Sequence, residues 1–176
     1  MELDLLKLKK KIRQIKDFPK KGILFYDITT VLNSPEYLKY TIDEMAKKII
    51  DLDFDLIICP ESRGFIFGVP LSYKFNKGFI PARKSGKLPY TSVSKPYALE
   101  YGTNSIEMHI DAIKPNQKVL IVDDLLATGG TYKALAELIE EVDGQVVGFL
   151  SFIELKDLNG RKNLGGYKNI LSVIEF

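Results

Sequence analysis

The densest chemistry in the chain is one stretch, Val119-Leu120-Ile121-Val122-Asp123-Asp124-Leu125-Leu126-Ala127-Thr128-Gly129-Gly130-Thr131. An apolar run ends in two adjacent carboxylates, and a small glycine-containing loop then leads into helical sequence. In open α/β sheets, ligands sit beyond the carboxyl ends of the strands. Glycines let the backbone approach a phosphate closely, and a helix start offers unpaired N–H groups and a positive dipole end. Thr128 and Thr131 add hydroxyl donors. Carboxylates repel phosphate, so acids and loop cannot serve the same anion. The pattern suits a ligand whose anionic end lies on Ala127, Thr128, Gly129, Gly130 and Thr131 and whose neutral hydroxyls meet Asp123 and Asp124. A ribose 5-phosphate has that polarity. Taken singly, the loop also reads as a tight turn and either acid as a helix cap. The loop lacks the Gly-Lys-Ser/Thr ending of a Walker motif and the Gly-x-Gly-x-x-Gly of a dinucleotide fingerprint.

Elements to hold this stretch are legible on both sides of it. Leu5, Leu8, Ile12 and Ile15 recur at helical spacing among lysines and predict an amphipathic first helix, packed on the domain rather than lying on a membrane. Ser34-Pro35-Glu36 predicts a helix start, with Leu38, Ile42, Met45 and Ile49 on its inner face. Asp55 to Cys59 predicts a buried strand stopped by Pro60. Gly64 to Asn76 predicts a helix with Pro70 as a kink point. Further strands are expected over 78–82, 117–122, 146–152 and 170–176, and a helix over 131–142. Residues 83–102 read as a polar loop, and a loop that long in a compact domain is usually functional or disordered. Apolar runs alternating with amphipathic helices predict a single α/β domain over 1–176, with a mainly parallel central sheet flanked by helices.

Composition narrows the function classes. The 176 residues are 45% apolar and 27% charged, with 25 Lys+Arg against 23 Asp+Glu. Such a chain buries roughly 70% of its unfolded surface, and a net charge of +2 argues against non-specific nucleic-acid binding. One cysteine, Cys59, leaves no internal disulfide and reads as an inert core thiol. One histidine, His109, disfavours a histidine zinc site or a Ser-His-Asp triad and reads as a helix or surface residue. The start, Met1-Glu2-Leu3-Asp4, is acidic, and no run approaches the roughly 20 apolar residues of a bilayer span. No membrane partner and a cytoplasmic location are expected.

At the acid pair and its loop the sequence resembles the type I phosphoribosyltransferases, whose donor-binding signature has this form. Three more segments resemble the adenine phosphoribosyltransferases in particular. They are Phe18-Pro19-x-x-Gly22-Ile23-Leu24-Phe25-x-Asp27-Ile28-Thr29, Glu61-Ser62-Arg63-Gly64-Phe65, and Arg83-Lys84-x-Gly86-Lys87-Leu88-Pro89 continuing to Leu99-Glu100-Tyr101-Gly102. The resemblance spans about residues 18–150 in the family's order.

It implies a type I phosphoribosyltransferase fold with a small N-terminal hood over about 1–33 and a flexible catalytic lid over about 83–102. It implies diphosphate contacts at Glu61, Ser62, Arg63, Arg83, Lys84, Lys87 and Tyr101, some of the basic residues reaching the neighbouring site of a homodimer. A leaving diphosphate needs such donors where its charge develops. Glu100 becomes the catalytic acid/base at the purine, within a lid that excludes water from an oxocarbenium-like centre. Leu24, Phe25 and Tyr26 become the adenine contacts, with Tyr26 where arginine is common in the family. Mg²⁺ is implied, held mainly by substrate oxygens rather than dedicated protein ligands. The reaction so implied joins adenine and 5-phosphoribosyl 1-diphosphate to give AMP and diphosphate in purine salvage. The alternatives are a 6-oxopurine (xanthine or hypoxanthine) transferase and a non-catalytic sensor of the ribosyl diphosphate.

Overall fold

Strands with near-continuous apolar sequence need cover on both faces, and this chain supplies it by alternating them with helices. The structure, a computed structural model, describes residues 3–98 and 103–176. In chain order the elements are α1 (Leu5–Lys11), β1 (Arg13–Lys16), β2 (Leu24–Asp27), α2 (Thr29–Leu32), α3 (Pro35–Ile49), β3 (Leu56–Pro60), α4 (Arg63–Phe75) and β4 (Gly78–Lys84). There follow β5 (Ser92–Ala98), β6 (Thr103–His109), β7 (Lys118–Leu126), α5 (Gly130–Glu141), β8 (Gln145–Glu154), α6 (Gly160–Asn163) and β9 (Ile170–Glu175).

The main sheet has the order β5-β6-β4-β3-β7-β8-β9. Strands β4, β3, β7, β8 and β9 are parallel, and β6 and β5 are added antiparallel at one edge. From β3 the chain crosses by α4 to β4 on one side, whereas from β7 it crosses by α5 to β8 on the other. The C-terminal ends of β3 and β7 therefore flank a topological switch point, where open α/β sheets form their crevice. Core residues alternate along β7: Leu120 and Val122 pack with α3 and α4, Val119 and Ile121 with α5. Gly68 brings α4 onto β3, since a Cβ there would lie 2.1 Å from Cys59 Sγ. Cys59 is buried and free, and burial pushes its thiol well up. Among the described residues no helix is long and apolar enough to cross a membrane.

The α/β architecture with its mainly parallel sheet is as the sequence predicts, but four local expectations change. The first helix stops at Lys11, and Ile15 lies on β1 opposite Phe25, because pairing with β2 overrides helical spacing. Pro35 opens α3 as expected, yet the Ser34 hydroxyl makes no capping bond. Strand β7 does not end at Val122: pairing with β8 carries it through the acids, with Asp123 opposite Ser151 and Leu126 opposite Glu154. Residues 83–102 are not one loop. Arg83 and Lys84 end β4, and Ser92–Ala98 is an edge strand paired along β6. Pro96 is tolerated there because an edge strand has one side free of the ladder. His109 ends β6 with its ring edge-on to Tyr90.

Candidate active site

A cleft of about 480 Å³ opens at the switch point, lined by residues from β3, the turn into α4, β4, β5, β7 and α5. Asp123 and Asp124 form its floor. The Asp124 amide donates to Asp123 Oδ1 at 2.8 Å, and Arg63 Nε reaches Asp124 Oδ2 at 2.9 Å. Burial and the adjacent Asp124 push the Asp123 carboxyl well up; burial also raises Asp124, opposed by Arg63. The guanidinium is bonded to Asp124 alone and Asp123 has the Asp124 amide, so the pair is short of donors for its four oxygens. Gly64 makes room for this, since a Cβ there would stand 3.0 Å from Asp123 Oδ1.

Beyond the acids, residues 127–131 turn the chain from β7 into α5. Gly129 sits at φ +84°, the left-handed region, and a Cβ on it would come within 2.5 Å of Gly160 O. Only glycine suits that position. A small cavity of about 50 Å³ is enclosed by residues 125–132. Beneath it Tyr132, fully buried, donates to Leu150 O at 2.9 Å and contacts Ser151 Oγ at 2.9 Å, pinning the first turn of α5 to β8.

On the opposite wall stand the cations. Glu61, its side chain nearly buried, binds Arg83 Nε at 2.7 Å and Lys87 Nζ at 3.3 Å. Burial works to raise its carboxyl, but Arg83 and Lys87 together hold it below the ordinary value. Ser62 and Lys84 line the same cleft. The Glu61–Ser62 peptide is cis.

A family model described as a phosphoribosyl transferase domain matches residues 28–174. The chain is 56% identical over 170 residues to the adenine phosphoribosyltransferase of Acetivibrio thermocellus, covering 96% of this chain and 99% of that protein. The chain belongs to the adenine phosphoribosyltransferase family. Among solved structures, the adenine phosphoribosyltransferase of Thermoanaerobacter pseudethanolicus matches with a TM-score of 0.95 at 51% identity, covering 98% of this chain and all (100%) of that one. The Giardia lamblia enzyme complexed with 9-deazaadenine matches with a TM-score of 0.94 at 32% identity, covering 99% of each chain.

In this adenine phosphoribosyltransferase family member, the N-terminal hairpin approaches the acid pair through Arg63. Its guanidinium carbon lies 5.5 Å from the Phe25 ring centroid, a cation–π arrangement, while its Nε holds Asp124. Phe25 also meets Phe18 edge-on at 5.1 Å, and Leu24 is exposed beside it. Tyr26, on the alternate face of β2, packs its ring 4.3 Å from that of Phe176. Its side chain thus points away from Phe25 and Arg63, leaving only its backbone on their side.

The structure brings together Glu61, Ser62, Arg63, Arg83, Lys84, Lys87, Asp123, Asp124 and Thr131 in one cleft. Glu100 and Tyr101 lie outside the described residues. Residues that sequence reasoning missed are Tyr97, which lines the cleft, and Gly160 and Asn163, which back the glycine loop. Burial raises the Tyr97 phenol, as do the charges of Asp123 and Glu61. No local pattern marks these three.

Proposed function

We infer that this chain transfers a 5-phosphoribosyl group from its 1-diphosphate to adenine, giving AMP and diphosphate, a purine-salvage step. The observation that carries it is an acid pair and a cation set lining one cleft, with the glycine loop of residues 127–131 around a small cavity that shares Thr131 with that cleft. The 5′-phosphate is assigned to the amides and hydroxyls of residues 127–131, and the ribose hydroxyls to Asp123 and Asp124. The diphosphate is assigned to Ser62, Arg63, Arg83, Lys84, Lys87 and Tyr101. Glu61 acts by positioning Arg83 and Lys87, since a carboxylate would repel diphosphate. Adenine is assigned to Phe25 by stacking and to the backbone of Leu24 and Tyr26.

In the reaction the bond from ribose C1 to the diphosphate oxygen breaks, and its electron pair leaves with the diphosphate. The purine nitrogen then bonds C1 and gives up its proton. Glu100 is assigned to that proton, and residues 99–102 to closing the centre against water. Mg²⁺, when bound, neutralises part of the diphosphate charge. Asp123 and Asp124 have the hard oxygen donors such an ion takes and would hold it together with substrate oxygens.

A homodimer is supported by α4, where Ile66, Val69 and Tyr73 are 36%, 50% and 89% exposed, a few residues from Arg63. A buried free thiol as the sole cysteine suits the cytoplasm.

Chromatographic assay with adenine, hypoxanthine and xanthine in parallel tests the activity. AMP formation dependent on the ribosyl diphosphate and Mg²⁺ is expected. Turnover confined to a 6-oxopurine, or donor binding without turnover, overturns it. Glu100→Ala is expected to lower kcat roughly 10²–10⁴-fold; near-normal steady-state turnover removes Glu100 from the chemistry.

A further inference from the structure

The glycine loop has a back as well as a front. Three successive carbonyls of the β7 end and loop face one distant segment. Leu126 O accepts from Leu155 N at 2.9 Å, and Thr128 O accepts from Asn163 Nδ2 at 2.6 Å. Between them, Ala127 O lies against Gly160 so closely that a Cβ there would come within 2.2 Å of it. A trans peptide is planar, with its C=O and N–H directed oppositely. Carbonyls engaged at the back therefore leave the N–H groups of Ala127, Thr128 and Gly129 on the front, beside the start of α5. Among the described residues none of these three amides donates to a backbone carbonyl. The loop's donors are thus aimed before any ligand arrives.

The backing segment is itself held from behind. Arg161 grips the buried Glu154 with two bonds, Nε to Oε1 at 2.7 Å and Nη2 to Oε2 at 2.6 Å. Arg161 Nη1 also donates to Ile170 O at 2.7 Å, and Ser172 Oγ to Glu154 Oε2 at 2.8 Å. This clamp ties α6 to β8 and β9.

We propose that Asn163, Gly160 and Arg161 are positioning residues for the 5′-phosphate: α6, clamped through Arg161 to Glu154, is the template that aims the loop amides at the donor's phosphate end. The proposal rests on the phosphate assignment of residues 127–131. It predicts selectivity, because the loop the template backs is assigned to one end of one substrate.

Calorimetry with ribose 5-phosphate, together with KM for each substrate and thermal melting, tests it. Asn163 is exposed, so Asn163→Ala should fold normally while Thr128 O loses its protein donor. Ribose 5-phosphate affinity is expected to fall, and KM for the ribosyl diphosphate to rise, roughly five- to tenfold. KM for adenine, kcat and Tm should stay near wild type. Gly160→Ala drives a methyl into Ala127 O and should give a larger loss with the same selectivity. Wild-type ribose 5-phosphate affinity in both variants overturns the proposal. So does an equal loss toward both substrates with a lowered Tm, the mark of a merely structural role. A wild-type enzyme that makes AMP yet binds no ribose 5-phosphate overturns the assignment of the loop itself, and the proposal with it.

Discussion

Two carboxylate centres lie at the C-terminal ends of neighbouring strands, each facing an arginine, and they are built to opposite ends. On β8, Glu154 accepts from Arg161 Nε and Nη2 and from the Ser172 hydroxyl, and Arg161 above all holds its carboxyl below the ordinary value. On β7, Asp123 and Asp124 crowd one another over a single Arg63 contact, and burial pushes both upward. Removing a partner from a satisfied buried acid destabilises a fold; a frustrated acid is held at a cost, and such groups cluster at ligand sites. The proposed ribose hydroxyls would be such a ligand, donating to carboxylate oxygens whose protein donors are the Asp124 amide and Arg63.

The largest test of this contrast is Asp124→Asn. It should cut kcat/KM for the ribosyl diphosphate roughly 10²-fold in steady-state assays while leaving Tm at pH 7 unchanged or higher. A large drop in Tm would mean that the acid pair stabilises the fold. Next comes Glu154→Gln, expected to lose about 2 kcal/mol and lower Tm by about 4–8 °C in calorimetry. A silent variant would remove the clamp from the stability of the fold.

Acid titration separates the centres by sign. Glu154, depressed in the native state, contributes stability that is complete above its ordinary value of 4.5 and lost as the pH falls through its native value. Glu154→Gln should therefore flatten the acid limb of Tm against pH below about 4.5. Asp123, raised in the native state, weakens the fold as pH climbs above its ordinary value of 3.8. The smallest effect follows: Asp123→Asn should gain about 2 °C over wild type at pH 7, an advantage that vanishes near pH 3.8 in the same melts. A constant difference across pH would show that the carboxylate is not strained.

Much of the site was legible because its parts are short and contiguous. The acid pair and loop occupy nine consecutive residues, 123–131, and a buried strand feeding a glycine turn leaves few other readings. The cationic segments were legible only through their resemblance to the family, and the ion pairs Glu61 makes with Arg83 and Lys87 were not legible at all. The ribbon of β5 and β6 was illegible because an edge strand with one solvated side carries polar sequence, which reads as loop. The fate of Ile15 was illegible because its helical spacing is genuine, and only its partner Phe25 on β2 settles the matter.

By itself the sequence determined the α/β class, the glycine loop and the acids beside it. Each is encoded by neighbours whose spacing allows few conformations. Tertiary structure alone decided which way the loop's amides face, which face of β2 meets Arg63, and how the acids are partnered. Those outcomes depend on groups brought together from far along the chain: the bond from Asn163 to Thr128 spans 35 residues. No local pattern specifies such a meeting; the packing of β7, β8 and α6 on a shared core does.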